Sequence, residues 1–207
     1  MVILIIVTVV VGYLLGNLNG AVLVSHKMGD DVRNHGSGNA GLTNFVRNYG
    51  ASRSILVIAV DAGKAALACV LGGLLLLNHM EFREGAAIGG AAVMLGHVFP
   101  AFLKFKGGKG ILSSLFIGLV VDWRVALLGL GIFAIFYALS GYVSLGSIMG
   151  IITYAVGFLL LDGDSMIVVC CTSGMCLLAL FMHRKNVVRL IKGEEKKTNL
   201  FKKEKQV

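Results

Sequence analysis

Long apolar stretches recur from one end of this 207-residue chain to the other, and they decide what it can fold into. The residues are 57% hydrophobic and only 14% charged, whereas a soluble domain carries about a quarter charged residues. Because a bilayer offers backbone N–H and C=O groups no partners, only helices and closed barrels cross it. The apolar stretches lack the polar–apolar alternation of barrel strands. The sequence therefore predicts an all-α, polytopic integral membrane protein.

A membrane-spanning helix needs about 20 apolar residues, or somewhat fewer where it is short or buried in protein. By this criterion we predict about seven transmembrane helices, the fourth short enough to be re-entrant. They are Val2–Val24, Ile55–Leu77, Gly85–Leu103, Ile111–Val121, Val125–Leu139, Ile148–Leu161 and Met166–Met182. We expect the first to be retained, because it lacks the positive n-region and cleavage site of a signal peptide. We also expect residues 1–207 to form a single membrane-embedded domain with a basic tail at 183–207.

Lysine and arginine are concentrated in a few of the segments that connect these spans. If the N-terminus lies outside and the spans alternate, 16 of the 19 Lys and Arg fall on the side that also holds the C-terminus. Cytoplasmic loops carry an excess of Lys and Arg, so we predict that this side is cytoplasmic. The same face then holds the segments Ser25–Arg53, Gly96–Gly110 and Ser140–Ser147 together with the basic tail.

The net charge of +8 does not indicate nucleic-acid binding here. Nine of the cations follow residue 183, and no recognition motif or aromatic platform accompanies them. A cytoplasmic tail beside anionic lipid head groups accounts for this charge. The four cysteines lie inside apolar stretches, without a CxxC pair or a histidine at ligand spacing. We therefore expect neither a disulfide nor a metal site.

The stretch GHVFPAFLKFKGGKG, residues 96–110, has the composition of an anion site. We expect Pro100 to end the third helix, because proline cannot donate the helical hydrogen bond. The glycines around Lys109 leave backbone N–H groups free to surround an anion beside the ammonium. This is not a Walker A loop, because the GxxxxGK[ST] spacing is absent. The alternative is that Lys104, Lys106 and Lys109 only anchor the helix to lipid head groups.

The loop HGSGNAGLTNFVRNYG, residues 35–50, is rich in glycine and short polar side chains in a chain otherwise poor in them. Glycines leave its backbone free to wrap around a ligand. Its Ser, Thr and Asn side chains offer hydrogen bonds, and Arg47 offers a two-pronged donor for carboxylate or phosphate. The alternative is a solvated loop whose polar residues cap helices.

Other polar residues stand inside or beside the apolar stretches. Asp61 and Lys64 share one helical face at i and i+3, and we favour a structural ion pair for them over a catalytic one. For His97, the sequence leaves both a structural role and a binding role open. Ser144 and Ser147 begin the sixth span, where helix capping is the alternative to substrate binding.

Two further histidines stand close to predicted span ends. His183 and Asn186 lie at i and i+3 among the cations that begin the tail, so a positive membrane anchor is the simple alternative. His26 and Asp31 match the HxxxxD spacing of a class of glycerolipid acyltransferases in which the histidine is the general base. That match is only two residues wide, and its surroundings do not continue the pattern, so we do not favour it.

Four of these motifs, in this order and spacing, resemble those of the bacterial acyl-phosphate:glycerol-3-phosphate acyltransferases, the PlsY family. They are GSGNAGLTN at 36–44 with Arg47, GHVFPAFLKFKGGKG at 96–110, YVSLGSI at 142–148 and HRKNVVRLIKGEE at 183–195. The resemblance covers nearly the whole chain. Departures from the common pattern occur at Ala40, Leu42, Ala65 and Gly141. They bear on loop conformation more than on activity.

The resemblance implies transfer of a fatty acyl group from acyl phosphate to the 1-hydroxyl of glycerol 3-phosphate. The products are lysophosphatidic acid and phosphate, in the first committed step of bacterial phospholipid synthesis. It also implies a seven-helix, multi-pass protein of the bacterial inner (cytoplasmic) membrane, with its N-terminus outside and its active site facing the cytoplasm. The implied partners are glycerol 3-phosphate, fatty acyl phosphate and membrane lipid. No nucleic acid or cofactor is implied, and we expect the protein to work as a monomer.

Matched motif by motif, the resemblance assigns six polar residues to the substrate-binding and catalytic set, namely Ser37, Arg47, Lys109, Ser147, His183 and Asn186. The residue types of the loops and helix ends described above add the other candidates. The predicted catalytic residues are Ser37, Lys109, His183 and Asn186. The predicted substrate-binding residues are Gly36, Gly38, Asn39, Thr43, Asn44, Arg47, His97, Lys104, Gly107, Gly108, Gly110, Ser144 and Ser147. No residue is predicted to bind a metal.

Acyl phosphate is already activated, and the sequence suggests neither a Ser–His–Asp arrangement nor a reactive cysteine, so we expect direct attack. Both substrates carry phosphate, and Arg47, Lys109 and glycine N–H groups would offset their repulsion. The base is either His183 or a substrate phosphate oxygen. We favour the phosphate, because the cations around His183 disfavour its protonation. The alternative functions are a membrane transporter of an anionic phosphorylated solute and an acyltransferase that uses acyl-CoA.

Overall fold

The computed structural model of the protein describes residues 1–198. These residues fold into nine α-helices and two short 3-10 turns, without a β-strand. The helices are α1 (Val2–Gly16), α2 (Gly20–Lys27), α3 (Leu42–Tyr49), α4 (Ala51–Leu76), α5 (Phe82–Val98), α6 (Ile111–Val121), α7 (Trp123–Ser140), α8 (Val143–Leu161) and α9 (Met166–Ile191). The 3-10 turns cover Val32–Asn34 and Ala101–Leu103. The predicted all-α class is confirmed.

Within the described chain, six helical segments are long and apolar enough to cross a membrane. They are Val2–Lys27, Ala51–Leu76, Phe82–Leu103, Trp123–Ser140, Val143–Leu161 and Met166–Ile191. The predicted short fourth span is α6, whose 11 residues fall below the length of a full span. Every predicted span is thus largely helical, and the polytopic membrane architecture is confirmed.

The first predicted span, Val2–Val24, is not one continuous helix. The helix α1 ends at Gly16 and α2 begins at Gly20. The side chain of Asn19 caps α2 by accepting a hydrogen bond from the N–H of Val22 at 3.0 Å. Hydropathy alone missed this break, because the residues on both sides of it are apolar. At a break inside the bundle, the backbone N–H and C=O groups of the two helix ends have no partners within a helix and need other hydrogen-bond partners.

An ion pair on α4 supplies those partners. Asp61 Oδ1 accepts from the N–H of Gly20 at 3.1 Å. Lys64 Nζ donates to the carbonyl of Leu18 at 2.5 Å and lies 3.4 Å from that of Gly16. The two charged groups are 2.7 Å apart and almost completely buried. The predicted i, i+3 pair is therefore confirmed, and it holds the break in the first span against α4.

Glycines let neighbouring helices approach closely. A Cβ on Gly16 of α1 would lie 2.7 Å from the Cα of Gly96 on α5. A Cβ on Gly150 of α8 would lie 2.8 Å from the carbonyl oxygen of Gly129 on α7. Small residues permit the van der Waals contact on which helix association in lipid depends. Larger side chains at these positions would push the helices apart.

The helix α5 ends at Val98, two residues before Pro100, as predicted. The residue before a proline is disfavoured in the helical region, and Phe99 has φ −122° and ψ 62°. Lys104 and Phe105 then adopt φ 55° and 59°. This left-handed pair turns the chain back toward the glycine-rich stretch.

Three predicted segments differ from the structure. The segment Ser25–Arg53, predicted as a polar, glycine-rich loop too long for a simple connector, contains α3 and a 3-10 turn. The helix α8 begins at Val143, so the polar segment predicted to run to Ser147 is helical at its end. The helix α9 continues past Met182 to Ile191. In α8 and α9, polar residues belong to a helix that hydropathy alone confines to the apolar stretch.

Candidate active site

A cavity of about 300 Å³ lies at one end of the helix bundle. Two hydrogen bonds bring three segments together there. Lys109, from the stretch 96–110, bonds Asn186 of α9. The N–H of Thr198, in the chain that follows α9, bonds the carbonyl of Gly141, just before α8. The polar part is lined by Ser37, Asn39, Thr43, Asn44, Arg47, Asp61, His97, Lys109, Gly110, Ser144, Ser147, His183, Asn186, Arg189 and Glu195. The apolar part lies between α6, α7 and α8 and includes Leu115, Ala126, Gly129, Ile151 and Tyr154.

The predicted site residues fall into two groups in this structure. Those that line the cavity are Ser37, Asn39, Thr43, Asn44, Arg47, His97, Lys109, Gly110, Ser144, Ser147, His183 and Asn186. Gly36, Gly38, Gly107 and Gly108 belong to the loops that shape it without lining it. Lys104 is exposed and lies outside the cavity. The chemical roles assigned to these residues stay predictions.

Lys109 presents the central cation of the polar part. Its ammonium donates to Asn186 Oδ1 at 2.5 Å. Burial lowers the pKa of Lys109 to about 8, and the cations Arg189 and Arg47 act in the same direction, whereas Glu195 opposes them. A buried ammonium with few fixed partners gains from an incoming anion, so this position is suited to bind phosphate.

Glu195 organises the residues around Lys109, although it was not among the predicted site residues. Its carboxylate accepts from Ser144 Oγ at 2.9 Å, Asn186 Nδ2 at 2.8 Å and Arg189 Nε at 2.6 Å. Burial alone would raise its pKa, but these three hydrogen bonds outweigh burial and lower it. One feature of the sequence could have pointed to this role of Glu195: it is an acidic residue within a segment dominated by lysine and arginine.

Neither serine of the sixth span caps its helix, so the capping alternative is wrong for both. The N-cap of α8 is Tyr142. Ser144 instead donates to Glu195, and Ser147 Oγ donates to the carbonyl of Val143 at 2.8 Å. Both residues line the cavity, and a hydroxyl that donates one hydrogen bond can still accept others.

The loop before α3 is held in shape by Asn44. Its amide nitrogen donates to the carbonyls of Val32, His35 and Asn39 at 3.0, 3.0 and 3.1 Å. Its Oδ1 accepts from the N–H of Ser37 at 2.9 Å. Because the side-chain amide of Asn44 is bonded inside the loop, Asn44 holds the loop backbone in its conformation. The hydroxyl of Ser37 makes no hydrogen bond to any residue among 1–198 and stays available at the cavity.

Arg47 joins this loop to the segment that follows α9. Its guanidinium donates to Thr198 Oγ1 and to the carbonyl of Lys196 at 3.0 Å. Tyr137 of α7 donates to the carbonyl of Thr198 at 2.8 Å. Burial lowers the pKa of Arg47 from its usual value. The chain after Ile191 therefore folds back beside the cavity, which the prediction of a simple basic tail did not include.

The glycine-rich turn before α6 fits closely against the end of α5. A Cβ on Gly107 would lie 2.0 Å from the carbonyl oxygen of His97, and one on Gly108 would lie 2.1 Å from His97 Nε2. Gly110 is the N-cap of α6 with φ 83°, a conformation that glycine adopts without strain. The turn thus brings Lys109 and the N-terminus of α6 to the cavity, where a helix N-terminus favours anions.

His183 lies on α9 with its ring orientation fixed. Its Nδ1 lies 2.8 Å from the carbonyl oxygen of Ala179, to which it can only donate. The hydrogen of the neutral imidazole is therefore on Nδ1. Nε2 is left as an acceptor.

His26 and Asp31 do pair, but away from this cavity. His26 Nε2 lies 3.3 Å from Asp31 Oδ2, and the His26 side chain is half exposed. Arg33 also bonds that carboxylate at 2.7 Å, and neither residue of the pair lines the cavity. The HxxxxD spacing thus falls on the connection between α2 and the first 3-10 turn.

The comparisons with known proteins agree with this geometry. The profile of the family described as glycerol-3-phosphate acyltransferase matches residues 6–193. A curated protein named glycerol-3-phosphate acyltransferase, from Thermoanaerobacter pseudethanolicus, is 38% identical over 193 residues, which cover 93% of this chain and 94% of that protein.

The fold is similar to solved structures as well. The crystal structure of PlsY, an integral membrane glycerol 3-phosphate acyltransferase, in its glycerol 3-phosphate form has a TM-score of 0.86 at 30% identity and covers 96% of this chain and 99% of that chain. The lysophosphatidic acid form has a TM-score of 0.82 at 28% identity and covers 95% and 96%. Sequence and structure therefore agree over nearly the whole length, and the chain belongs to the glycerol-3-phosphate acyltransferase family.

Proposed function

We propose that this protein transfers an acyl group from acyl phosphate to the 1-hydroxyl of glycerol 3-phosphate and releases lysophosphatidic acid and inorganic phosphate. One observation carries the proposal: a single cavity has a cationic polar part and an apolar part between three helices. Lys109, Arg47 and Arg189 offer cations to the phosphates of two anionic substrates. The space between α6, α7 and α8 offers an apolar environment for the acyl chain. Family membership supports the acceptor.

The proposed reaction is a direct transfer. The 1-hydroxyl oxygen of glycerol 3-phosphate attacks the acyl carbon, and the bond between that carbon and the phosphate oxygen breaks. The hydroxyl proton leaves with the phosphate, so atoms and charge balance without a covalent enzyme intermediate. Negative charge develops on the carbonyl oxygen and then on the leaving phosphate. Lys109, already held in place by Asn186, stabilises that charge with little reorganisation, and the Ser37 hydroxyl donates a further hydrogen bond.

His183 orients the attacking hydroxyl in this proposal. Its Nε2 accepts a hydrogen bond from the hydroxyl, since Nδ1–H is engaged by the carbonyl of Ala179. A phosphate oxygen then takes the proton, which avoids a charged imidazole beside the Lys109 ammonium. Asn186 supports this arrangement by holding Lys109 through Oδ1.

We also propose that residues 1–207 form one domain that works as a monomer in the inner (cytoplasmic) membrane, with the cavity on the cytoplasmic side. The distribution of Lys and Arg supports the orientation, because 16 of the 19 belong to the side that holds the cavity segments.

The donor is the part of the proposal that an assay tests most simply. Purified protein in detergent receives glycerol 3-phosphate with either acyl phosphate or acyl-CoA, and lysophosphatidic acid is measured. We expect product with acyl phosphate only. Product with acyl-CoA only would assign the other donor. Absence of product with both, together with glycerol 3-phosphate uptake into proteoliposomes, would identify a transporter and contradict the proposal.

A further inference from the structure

His97 lies between a buried ion pair and the glycine-rich turn that carries Lys109. Its Nδ1 lies 2.8 Å from Lys64 Nζ, and its side chain is only 5% exposed. The backbone of Gly108 passes directly over the other end of the ring, because a Cβ there would lie 2.1 Å from Nε2. The N–H of Gly108 donates to the carbonyl of His97 at 3.1 Å. One residue therefore supports the turn through both its backbone and its ring.

The surroundings of Lys64 determine which ring nitrogen of His97 carries the hydrogen. An ammonium group has three donors and no acceptor. Lys64 Nζ lies 2.5 Å from the carbonyl of Leu18, 2.7 Å from Asp61 Oδ1 and 2.8 Å from His97 Nδ1. Each donor thus has one close acceptor, and the buried Asp61 carboxylate needs its counter-ion. Since Nδ1 accepts, the hydrogen of the neutral imidazole is on Nε2.

That N–H has no partner within residues 1–198, although His97 lines the cavity. A donor that lines a cavity without a protein partner is free to bond a ligand there. Nε2 lies beside Gly108, next in the chain to Lys109, where a phosphate oxygen would be an acceptor. His183 has the opposite arrangement, with its hydrogen on Nδ1 facing the carbonyl of Ala179. The cavity therefore has one imidazole that donates and one that accepts.

We propose that the Asp61–Lys64 ion pair positions His97 with its hydrogen on Nε2, and that this N–H donates to a phosphate oxygen of a substrate bound at Gly107–Gly110. This inference rests on the proposed function. The phosphate belongs either to glycerol 3-phosphate or to acyl phosphate. In this arrangement, the pair that closes the break in the first span also fixes a donor in the phosphate site. Lys64 is a positioning residue, and His97 is the group that contacts substrate.

Substitutions at His97 test the donor. Glutamine places its amide nitrogen near the position of Nε2, whereas asparagine places it near Nδ1. We expect His97→Leu and His97→Asn to lower kcat/KM about 10- to 100-fold, as the loss of a hydrogen bond to a charged group does. His97→Gln should recover most of the activity, and His79→Gln, at an exposed histidine outside the cavity, is the matched control. Wild-type kcat/KM in His97→Leu, or equal activity of His97→Asn and His97→Gln, would overturn the inference.

The same variants identify which phosphate is bound. The KM for glycerol 3-phosphate and the KM for acyl phosphate are measured separately at saturating concentrations of the other substrate. A rise confined to glycerol 3-phosphate assigns the hydrogen bond to the acceptor. A rise confined to acyl phosphate, or a fall in kcat alone, assigns it to the leaving phosphate. Both results support a donor at Nε2.

A double-substitution cycle tests the positioning role of Lys64. We expect Lys64→Met to lower kcat/KM and to add little to the loss in His97→Leu, because the two side chains act through one hydrogen bond. If the loss in the double variant equals the product of the losses in the two single variants, Lys64 acts only on the fold. That result would overturn its positioning role.

Isotope-edited NMR of the histidine-labelled wild-type protein in micelles tests the tautomer without turnover and without a change at Lys64. The His97 ring signals are identified by their loss in His97→Leu. They should place the hydrogen on Nε2, and Nε2 should respond to inorganic phosphate. A hydrogen on Nδ1, or no response to phosphate, would overturn the inference. Failure of acyl phosphate as a donor would overturn the proposed function and leave this NMR result standing.

Discussion

Lys109 Nζ lies 2.5 Å from the side-chain oxygen of Asn186. The nitrogen of the same amide donates to Glu195 at 2.8 Å, which fixes the orientation of the amide. Lys109 comes from the turn before α6 and Asn186 from α9, so the bond joins elements from distant parts of the chain. The ammonium is therefore held in place before a substrate arrives, as electrostatic preorganisation requires.

Loss of the Lys109 ammonium should abolish turnover. Lys109→Ala removes the cation that faces both phosphates, and we expect kcat/KM to fall at least about 100-fold, as for the loss of a fixed electrostatic donor. The fold should persist, because the side chain contacts the cavity and not the apolar core. Turnover and thermal unfolding in detergent check these two expectations. Lys106→Ala, at an exposed lysine of the same turn, is the control, and near-normal activity of Lys109→Ala would contradict the assignment.

The activity should depend on pH through Lys109. Burial lowers the pKa of this ammonium to about 8, so the cation is present below that pH and is lost above it. We therefore expect kcat/KM, which reports groups of the free enzyme, to fall as the pH rises through about 8. Arginine keeps its charge to a much higher pH than lysine, so the fall should move to higher pH in Lys109→Arg. A fall at an unchanged pH would assign it to another group or to a substrate.

Glu195 should matter more for stability than its neighbour. Glu195→Ala leaves Arg189, Asn186 and Ser144 without their shared acceptor. We expect a loss of about 3 kcal/mol in the free energy of unfolding, the scale of leaving buried polar groups unpaired. The exposed Glu194 is the matched control, and Glu194→Ala should stay within about 0.5 kcal/mol. Denaturant titration in detergent measures both, and equal effects would contradict the role of Glu195.

Tyr154 should limit the length of the acyl chain. It lines the cavity, whereas Gly157 and Phe158, one turn further along α8, are buried outside it. The Tyr154 ring packs edge to face against Phe158 at 4.8 Å between centroids and closes the apolar part. With acyl phosphates of increasing length, Tyr154→Ala should shift the preference toward longer chains, because a chain can then enter the vacated space. Tyr154→Phe keeps the ring and should leave the preference unchanged. An unchanged preference in Tyr154→Ala would mean that the chain leaves the cavity elsewhere.

His26→Ala should be nearly silent. The side chain is half exposed and lies away from the cavity, so its removal touches neither substrate site. Turnover with acyl phosphate should stay within about twofold, as for a surface substitution. A heavy loss would restore the HxxxxD interpretation, in which His26 is the general base.

Much of the architecture could be predicted from the sequence because it depends on local properties. Apolar stretches of sufficient length become helices in lipid, and Pro100 ends α5 where the chain cannot continue the helical pattern. Asp61 and Lys64 were paired correctly, since i, i+3 neighbours share a helix face. The motif around Lys109 likewise indicated an anion site from residue types alone.

The remaining features depend on contacts between segments that are distant in the chain. The break between α1 and α2 is apolar in sequence, and its partners, Asp61 and Lys64, lie on another helix. Glu195 follows a helix that hydropathy ended at Met182, and its role appears only when α8 and α9 meet. Asn44 is of a residue type that often contacts substrates, but its side chain bonds the backbone of its own loop. Such roles depend on three-dimensional partners that residue patterns do not specify.

One measurement tests the central claim most directly. Purified wild-type protein receives acyl phosphate and glycerol 3-phosphate labelled with heavy oxygen in its 1-hydroxyl, and both products are analysed by mass spectrometry. The proposed transfer predicts equal amounts of lysophosphatidic acid and phosphate, with the label in the new ester and none in the phosphate. Phosphate release without lysophosphatidic acid, or label in the phosphate, would contradict it.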